Sequence, residues 1–455
     1  MLNWKRLKQV LVGLSVLGLL ISLWPNARSL YDLTGEEALL GQLRGMVHWL
    51  NTAVRPQPRL APDEVEPVTD IVPFGVNTFL EQEAEVVKRE QSLALIAEAG
   101  FHFIRQEFPW EDIEIAGKGD FEDRRHDPHR SAWEKYDNIV DLAEQNGIEI
   151  IARLSNPPAW SRALPVEQTG DKAPPDDFND YGDFVAAVAE RYHGRIHFYQ
   201  LWNEPNGNEE WGIHQPVNPE AFTELLCIGY ERIKAVDPDA VVLAGALTPT
   251  LANDGRHMND LIFLERMYAA GAGDCFDVMS AQGYGLWSGA TDQRLRPTVI
   301  NYPHNLYIRD VMVRHGDSAK PIWISEMAWN VTPENIYADY GRVTEEEQAR
   351  YAVEAYRRAQ AEWPWVEVIN YWFFKRPADF EKDQSWYYFR LMEPDFTPLP
   401  AFAALSNYMN GNASEPATPD WVYGWMAIRP FLFLVSSAVL LFALLDALAP
   451  EESKR

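Results

Sequence analysis

The chain has 455 residues, 47% apolar and 24% charged, which leaves room for one large domain or two ordinary ones and excludes wholesale disorder. Its 67 acidic residues against 40 basic ones give a formal net charge of −27, a surface repelled by nucleic acid and anionic lipid, so nucleic-acid binding is set aside. Only Cys227 and Cys275 are present, with no metal-type spacing; a disulfide scaffold and a zinc ribbon are excluded, and two buried thiols are expected.

Val10 to Trp24 is an uncharged apolar run behind Lys5, Arg6 and Lys8, the charge layout of a secretory signal or signal anchor. The stretch Trp24-Pro25-Asn26-Ala27-Arg28 has no small-x-small cleavage pattern, which points to an uncleaved anchor over residues 1–29. Between Thr34 and Leu50 the residues Leu39, Leu40, Leu43, Met46, Val47 and Leu50 recur at helical spacing, with Thr34 and Glu37 reading as a capping box. Such a helix could rest on the membrane or on the domain. Pro56, Pro58, Pro62 and Pro67 among acidic residues predict a stiff extended linker that completes the segment 30–69.

From 70 to 410 the pattern alternates. Short β-branched or aromatic runs predict strands over Ile71–Val76, Phe101–Arg105, Ile148–Leu154, Ile196–Trp202, Ala240–Ala244, Phe276–Ala281, Pro321–Ser325 and Val366–Trp372. Amphipathic stretches predict helices over Glu83–Ala99, Ala132–Asn146, Phe178–Tyr192, Pro219–Val236, Asn259–Ala270, Tyr302–His315, Thr344–Glu362 and Pro400–Met409. Eight strand–helix units make an α/β protein of the (β/α)8 TIM-barrel class with enlarged loops. The rival, an open doubly wound sheet, should carry a glycine-rich phosphate loop after its first strand, where Asn77-Thr78-Phe79-Leu80 stands instead. A linker over 411–420 leads to Phe431–Ala449, almost wholly apolar with Asp446 near its end and Trp421, Tyr423 and Trp425 before it as an aromatic belt. This predicts a transmembrane helix over 421–449 and a short tail, 450–455. Lys5, Arg6 and Lys8 at one end and Lys454 and Arg455 at the other place both termini in the cytoplasm and the barrel outside.

In such a barrel the chemistry sits just past the strand ends. The fourth strand runs into Leu201-Trp202-Asn203-Glu204-Pro205-Asn206 and the seventh into Trp323-Ile324-Ser325-Glu326-Met327, so each ends on a carboxylate. Ionised carboxylates avoid apolar surroundings unless they are paired or put to use. Two that face one another suit glycosidic cleavage, in which one carboxyl donates a proton to the leaving oxygen and the other attacks or stabilises the oxocarbenium-like centre. The loops 108–130 and 155–177 are long, polar and aromatic, as cleft walls should be, and the 17 Trp, 19 Tyr and 21 Phe offer flat faces for sugar rings.

These two runs, at the ends of strands four and seven, resemble the signature of clan A glycoside hydrolases, most of all family 39 and its cellulase-like relatives, over roughly residues 71–410. The resemblance implies that Glu204 is the acid/base, that Glu326 is the nucleophile, and that the mechanism is retaining. It further implies that Asn203 bonds the sugar 2-hydroxyl, Arg105 orients the nucleophile, Tyr284 bonds it, and Trp372 is a platform under the sugar. Gln282 departs from the pattern, which often has His two residues before that Tyr, and so puts the subsite contacts in question. Trp160, in Asn156-Pro157-Pro158-Ala159-Trp160, is a further stacking candidate.

The expectation is a membrane-tethered, extracytoplasmic glycoside hydrolase acting on a glycoside or saccharide without metal or organic cofactor. His126, Asp127 and His129 lie in a charged loop and are not taken as a metal site. Two alternatives stand beside it: a silent carbohydrate-binding receptor on the same barrel, and a transglycosylase.

Overall fold

The computed structural model describes residues 4–22, 24, 29–62, 64–70, 72–413 and 420–448, which fall into two compact units: 1–33 with 414–455, and 34–413. The expected tail 450–455, most of the exit linker and part of the 24–28 stretch lie outside the described residues.

The terminal unit is an antiparallel pair of helices, Trp4–Ser22 and Asp420–Leu448. Lys8 pairs with Asp446, a Cβ at Gly18 would meet the Ser436 side chain, and Trp425 and Arg429 donate to the Trp24 carbonyl at 3.4 and 3.2 Å. Among the described residues one helical segment, Gly424–Leu448, is long and apolar enough to cross a membrane. The N-terminal helix is diluted by Lys5, Arg6 and Lys8, so the expected N-terminal span is not shown.

In the larger unit eight parallel strands form one sheet: β1 (Phe74–Thr78), β2 (Phe103–Pro109), β3 (Glu149–Ser155), β4 (Phe198–Leu201), β5 (Val241–Ala244), β6 (Met279–Gln282), β7 (Ile322–Met327) and β8 (Val366–Tyr371). Each pairs with its sequence neighbour and β1 with β8; β5 and β6 meet through bridges at Leu243–Val278 and Leu247–Ala281, which close the barrel. All eight expected strands are present, shifted mostly toward the C-terminal side. Ile71, the expected start of the first, lies outside the described residues. The helices follow amphipathic spacing with local caps. Phe178–Arg191 buries Tyr181, Phe184, Val185 and Val188 and starts at Asp177, whose side chain accepts from Asn179; Glu345–Glu362 starts in a Thr344/Glu347 capping box.

Strand side chains alternate, so residues two apart share a face. Phe103, Ile151, Phe198, Leu243, Val278, Trp323 and Val368 form a buried apolar layer, with the Phe103, Phe198 and Trp323 rings 5.0–5.6 Å apart. Two residues on, the same faces present Arg105, Arg153, Gln200, Ser325 and Asn370. The barrel is thus sealed by hydrocarbon below and polar toward the strand ends.

Three expectations are corrected. The cysteines are not free thiols: Cys227 and Cys275 form a disulfide, because the helix Pro219–Val236 and the turn Ala272–Asp274 bring their Cα atoms to 4.7 Å. Thr34 and Glu37 are not a capping box: the helix starts later, at Leu39, and Glu37 instead accepts from Arg350 at 2.6 Å and Tyr351 at 2.5 Å. The proline-rich stretch is extended but not free. Arg59 N bonds Asp310, Glu66 N bonds Ala319 O, and Arg309 donates to Leu60 O and Pro62 O, while Val68 packs under the apolar layer.

Candidate active site

β4 ends in a backbone that few side chains tolerate. Trp202 and Glu204 take φ of 70° and 43°, and the Glu204 N–H bonds Ala246 O at 2.8 Å. The strained turn is held by Trp202, whose indole N–H donates to Glu210 O at 2.8 Å. Glu326 comes to the mouth by another device. Its strand pairs Ile324 with Ala281 and Ile369, then Glu326 with Gln282 and Met327 with Tyr371, so β7 carries an extra residue relative to both neighbours. This bulge turns two consecutive side chains toward the barrel interior: the Ser325 hydroxyl bonds Gln200 at 3.2 Å and Glu326 meets Arg105.

Arg105, buried on β2, is the hub. Nη1 donates to Glu326 Oε1 at 2.9 Å and to Asn77 Oδ1 at 2.8 Å, Nε to Gln200 Oε1 at 2.7 Å, and Nη2 to Asn203 Oδ1 at 2.7 Å. Because the Asn203 oxygen is taken, its amide N–H groups are what remains for a ligand. The other oxygen of Glu326 accepts from Tyr284 OH at 2.6 Å, and Gln282 Nε2 donates to Glu204 Oε1 at 2.7 Å. Residues 282 and 284, the last residue of β6 and the second one after it, therefore hold one carboxyl group each.

The two carboxyls are not electrostatically equal. Burial first, then the charges of Glu326 and Glu210, push Glu204 up to about 8 against the weaker pull of Gln282 and Arg105. Burial and the Glu326 charge push Tyr284 well above the usual phenol range, so it stays a donor. Glu326 has two charge-assisted or strong donors on its two oxygens. The site thus pairs a carboxyl that keeps its proton at neutral pH with one whose two oxygens each accept a hydrogen bond, from Arg105 and from Tyr284.

Trp372, half-buried just past the end of β8, packs edge-on to Phe79 at 5.5 Å, and its backbone N–H donates to Met327 O at 3.1 Å. Trp160 packs on Trp110 at 5.5 Å and donates its indole N–H to Glu114 O at 2.7 Å. Asn77, Gln200 and Ser325 were not singled out from the sequence, since lone polar residues in apolar strands carry no spacing signal. The same holds for a partly buried ionic group beside the hub: Glu107 with Arg153 and Ser155, and Lys172 with Glu210 at 2.7 Å. Tyr340, after β7, packs on Phe389 at 5.8 Å, which packs on Tyr284 at 5.5 Å, and its hydroxyl is raised by burial and the Glu204 charge.

A closed parallel barrel with one carboxyl at the end of β4 and another at the end of β7 defines a glycoside hydrolase of the clan A kind. Residues 65–313, more than half of the chain, match the family model described as cellulase (glycosyl hydrolase family 5), and the chain belongs to that family. Among solved structures it is similar to a family 39 glycoside hydrolase from Bacteroides cellulosilyticus WH2, at 21% identity over 76% of this chain and 64% of that one, with a TM-score of 0.55. A family 39 β-xylosidase from Caulobacter crescentus matches at 19% identity over 79% and 73%, with a TM-score of 0.52. The family 39 enzyme from Xanthomonas axonopodis pv. citri matches at 17% over 81% and 72%, with a TM-score of 0.51. At these identities the likeness is one of fold. The chain spans 64% of the length of the Bacteroides enzyme.

Proposed function

We propose that the protein cleaves O-glycosidic bonds by double displacement with retention of configuration. Glu326 attacks the anomeric carbon while Glu204 gives its proton to the departing oxygen; Glu204 then takes a proton from water as the glycosyl–Glu326 ester is hydrolysed. Arg105 and Tyr284 orient the nucleophile, Asn203 donates to the sugar 2-hydroxyl, Gln282 fixes the acid, and Trp372 is the stacking face in the same subsite. The observation that carries this reading is the asymmetry of the pair: Glu204 is held protonated by burial and a neighbouring charge, and Glu326 is held by Arg105 and Tyr284.

The barrel is read as tethered to a membrane on its extracytoplasmic side. The 25-residue apolar segment Gly424–Leu448, the basic N-terminal flank and the Cys227–Cys275 disulfide, which suits an oxidising compartment, support that placement. The substrate is a glycoside or saccharide; transfer to an acceptor other than water is separated by product analysis.

The test is Glu326→Ala assayed on a panel of activated aryl glycosides. Loss of hydrolysis, with azide restoring turnover as a glycosyl azide of inverted configuration, is expected. Undiminished activity removes Glu326 from the mechanism.

A further inference from the structure

The helix Leu39–Ala53 is built with its amphipathicity reversed. Its polar and small residues face the barrel unit: a Cβ at Gly45 would press on Thr34 and Arg294, Thr52 Oγ1 bonds Leu295 O at 3.3 Å, and Gln42 Nε2 bonds Glu36 O at 2.9 Å. Arg55, just past its end, donates to Leu295 O at 2.9 Å. Arg294 is itself buried and locked by Asp292 at 2.7 Å and Glu36 at 2.8 Å, so the docking is largely polar, with Met46 and Trp49 half-buried beside it, and is fixed to the segment that follows β6. Most of the apolar residues point the other way. Leu39, Leu40, Leu43, Val47 and Leu50 are 52–79% exposed, and at about 100° per residue they fall within an arc of roughly 100°. Val54 continues the stripe, and Arg44 and Asn51 flank it.

A soluble domain does not leave such a face to water. A single 15-residue helix face is small against the roughly 1,200–2,000 Å² that a stable protein interface buries, which disfavours a second copy as its cover. A lipid surface is indicated by continuity: the same chain carries the apolar segment Gly424–Leu448, and the helix Trp4–Ser22, with its uncharged run from Val10, precedes this one across residues 23–38. The segment after β6 is joined to the approach to this helix, since the Gly289 N–H bonds Gly35 O at 2.8 Å.

We propose that Leu39–Ala53 is an interfacial membrane helix, lying in the plane of the bilayer with its leucine-valine stripe in the acyl boundary and seating the segment after β6, on the catalytic side of the barrel, against lipid. The proposal rests on the membrane tether proposed above. Because the protein is strongly acidic, the contact is apolar and forms on zwitterionic lipid at any moderate salt.

The full chain reconstituted in phosphatidylcholine vesicles tests it. A bimane label is placed in turn at Leu43→Cys, Val47→Cys, Leu441→Cys on the terminal helix and Glu231→Cys on an exposed position of the barrel; the native cysteines are held in their disulfide. Quenching by brominated lipid is then compared with quenching by aqueous iodide. The expected result is severalfold stronger lipid quenching at 43, 47 and 441 than at 231. Lipid quenching at 441 with only iodide reaching 43 and 47 overturns the helix proposal while the tether stands. Shielding of 43 and 47 from both quenchers that grows with protein concentration also overturns it, in favour of a second copy. No lipid quenching at 441 brings down the tether and this proposal together.

Discussion

Glu204 and Glu326 are the same side chain in different surroundings, and the difference is measurable as pH dependence. With Glu204 pushed up to about 8, the acid form dominates at neutral pH, and kcat/KM should fall as pH rises through about 8. The stability sign follows from the same shift. The folded state binds this proton more tightly than the unfolded chain, so the contribution is whole below the ordinary value of 4.5 and is lost as pH rises through about 8. Glu204→Gln should therefore melt higher than the parent at pH 9 and close to it near pH 4.5, and thermal scans at the two pH values check this. Arg105→Met leaves a buried carboxylate and three polar side chains without their common donor. It should cost about 3–5 kcal/mol of stability by denaturant melting and at least ~100-fold in kcat/KM. The strand ends made Glu204 and Glu326 legible as candidates, because a carboxylate closing an apolar run is costly and conspicuous, whereas Asn203 entered only through the family resemblance. Asn77 and Gln200 were illegible: their role comes from meeting one guanidinium across a closed barrel. Strict alternation would also have sent either Ser325 or Glu326 outward, and only the bulge in β7 lets both point in.

At the scale of elements, the period of the apolar pattern revealed all eight strands and the helices between them, with edges off by a few residues where strand and loop share a composition. It did not reveal which face of an element docks where. The stripe on Leu39–Ala53 was visible as a period, but the polar contacts to Leu295 and Glu36 that turn it outward depend on partners some 250 residues away or on local carbonyls. The disulfide is a similar case, because no spacing says that a helix and a later turn abut. It closes a 48-residue separation, which in the chain-entropy model amounts to about 4 kcal/mol. Replacing Cys227 and Cys275 by Ala should lower the melting temperature by several degrees and leave kcat/KM at 25 °C unchanged, since Cys275 precedes β6 at the end opposite Gln282. A fall in activity without a fall in melting temperature would argue against this assignment.

For the whole molecule, composition sets apolar terminal segments apart from a strand–helix middle, while the larger compact unit, 34–413, takes in the helix Leu39–Ala53 and the proline-rich stretch as well as the barrel. Its acidic charge does not select a sugar, and neither does the fold, which hosts many chemistries. The central claim is that Glu326 carries the sugar between the two half-reactions. It is tested most directly on the intact chain with the 2-deoxy-2-fluoro counterpart of whichever aryl glycoside it turns over, followed by peptide mass mapping. Time-dependent inactivation with one glycosyl adduct on the peptide containing Glu326 is the predicted result; an adduct on another residue, or turnover of the parent glycoside with inversion and no adduct, contradicts it.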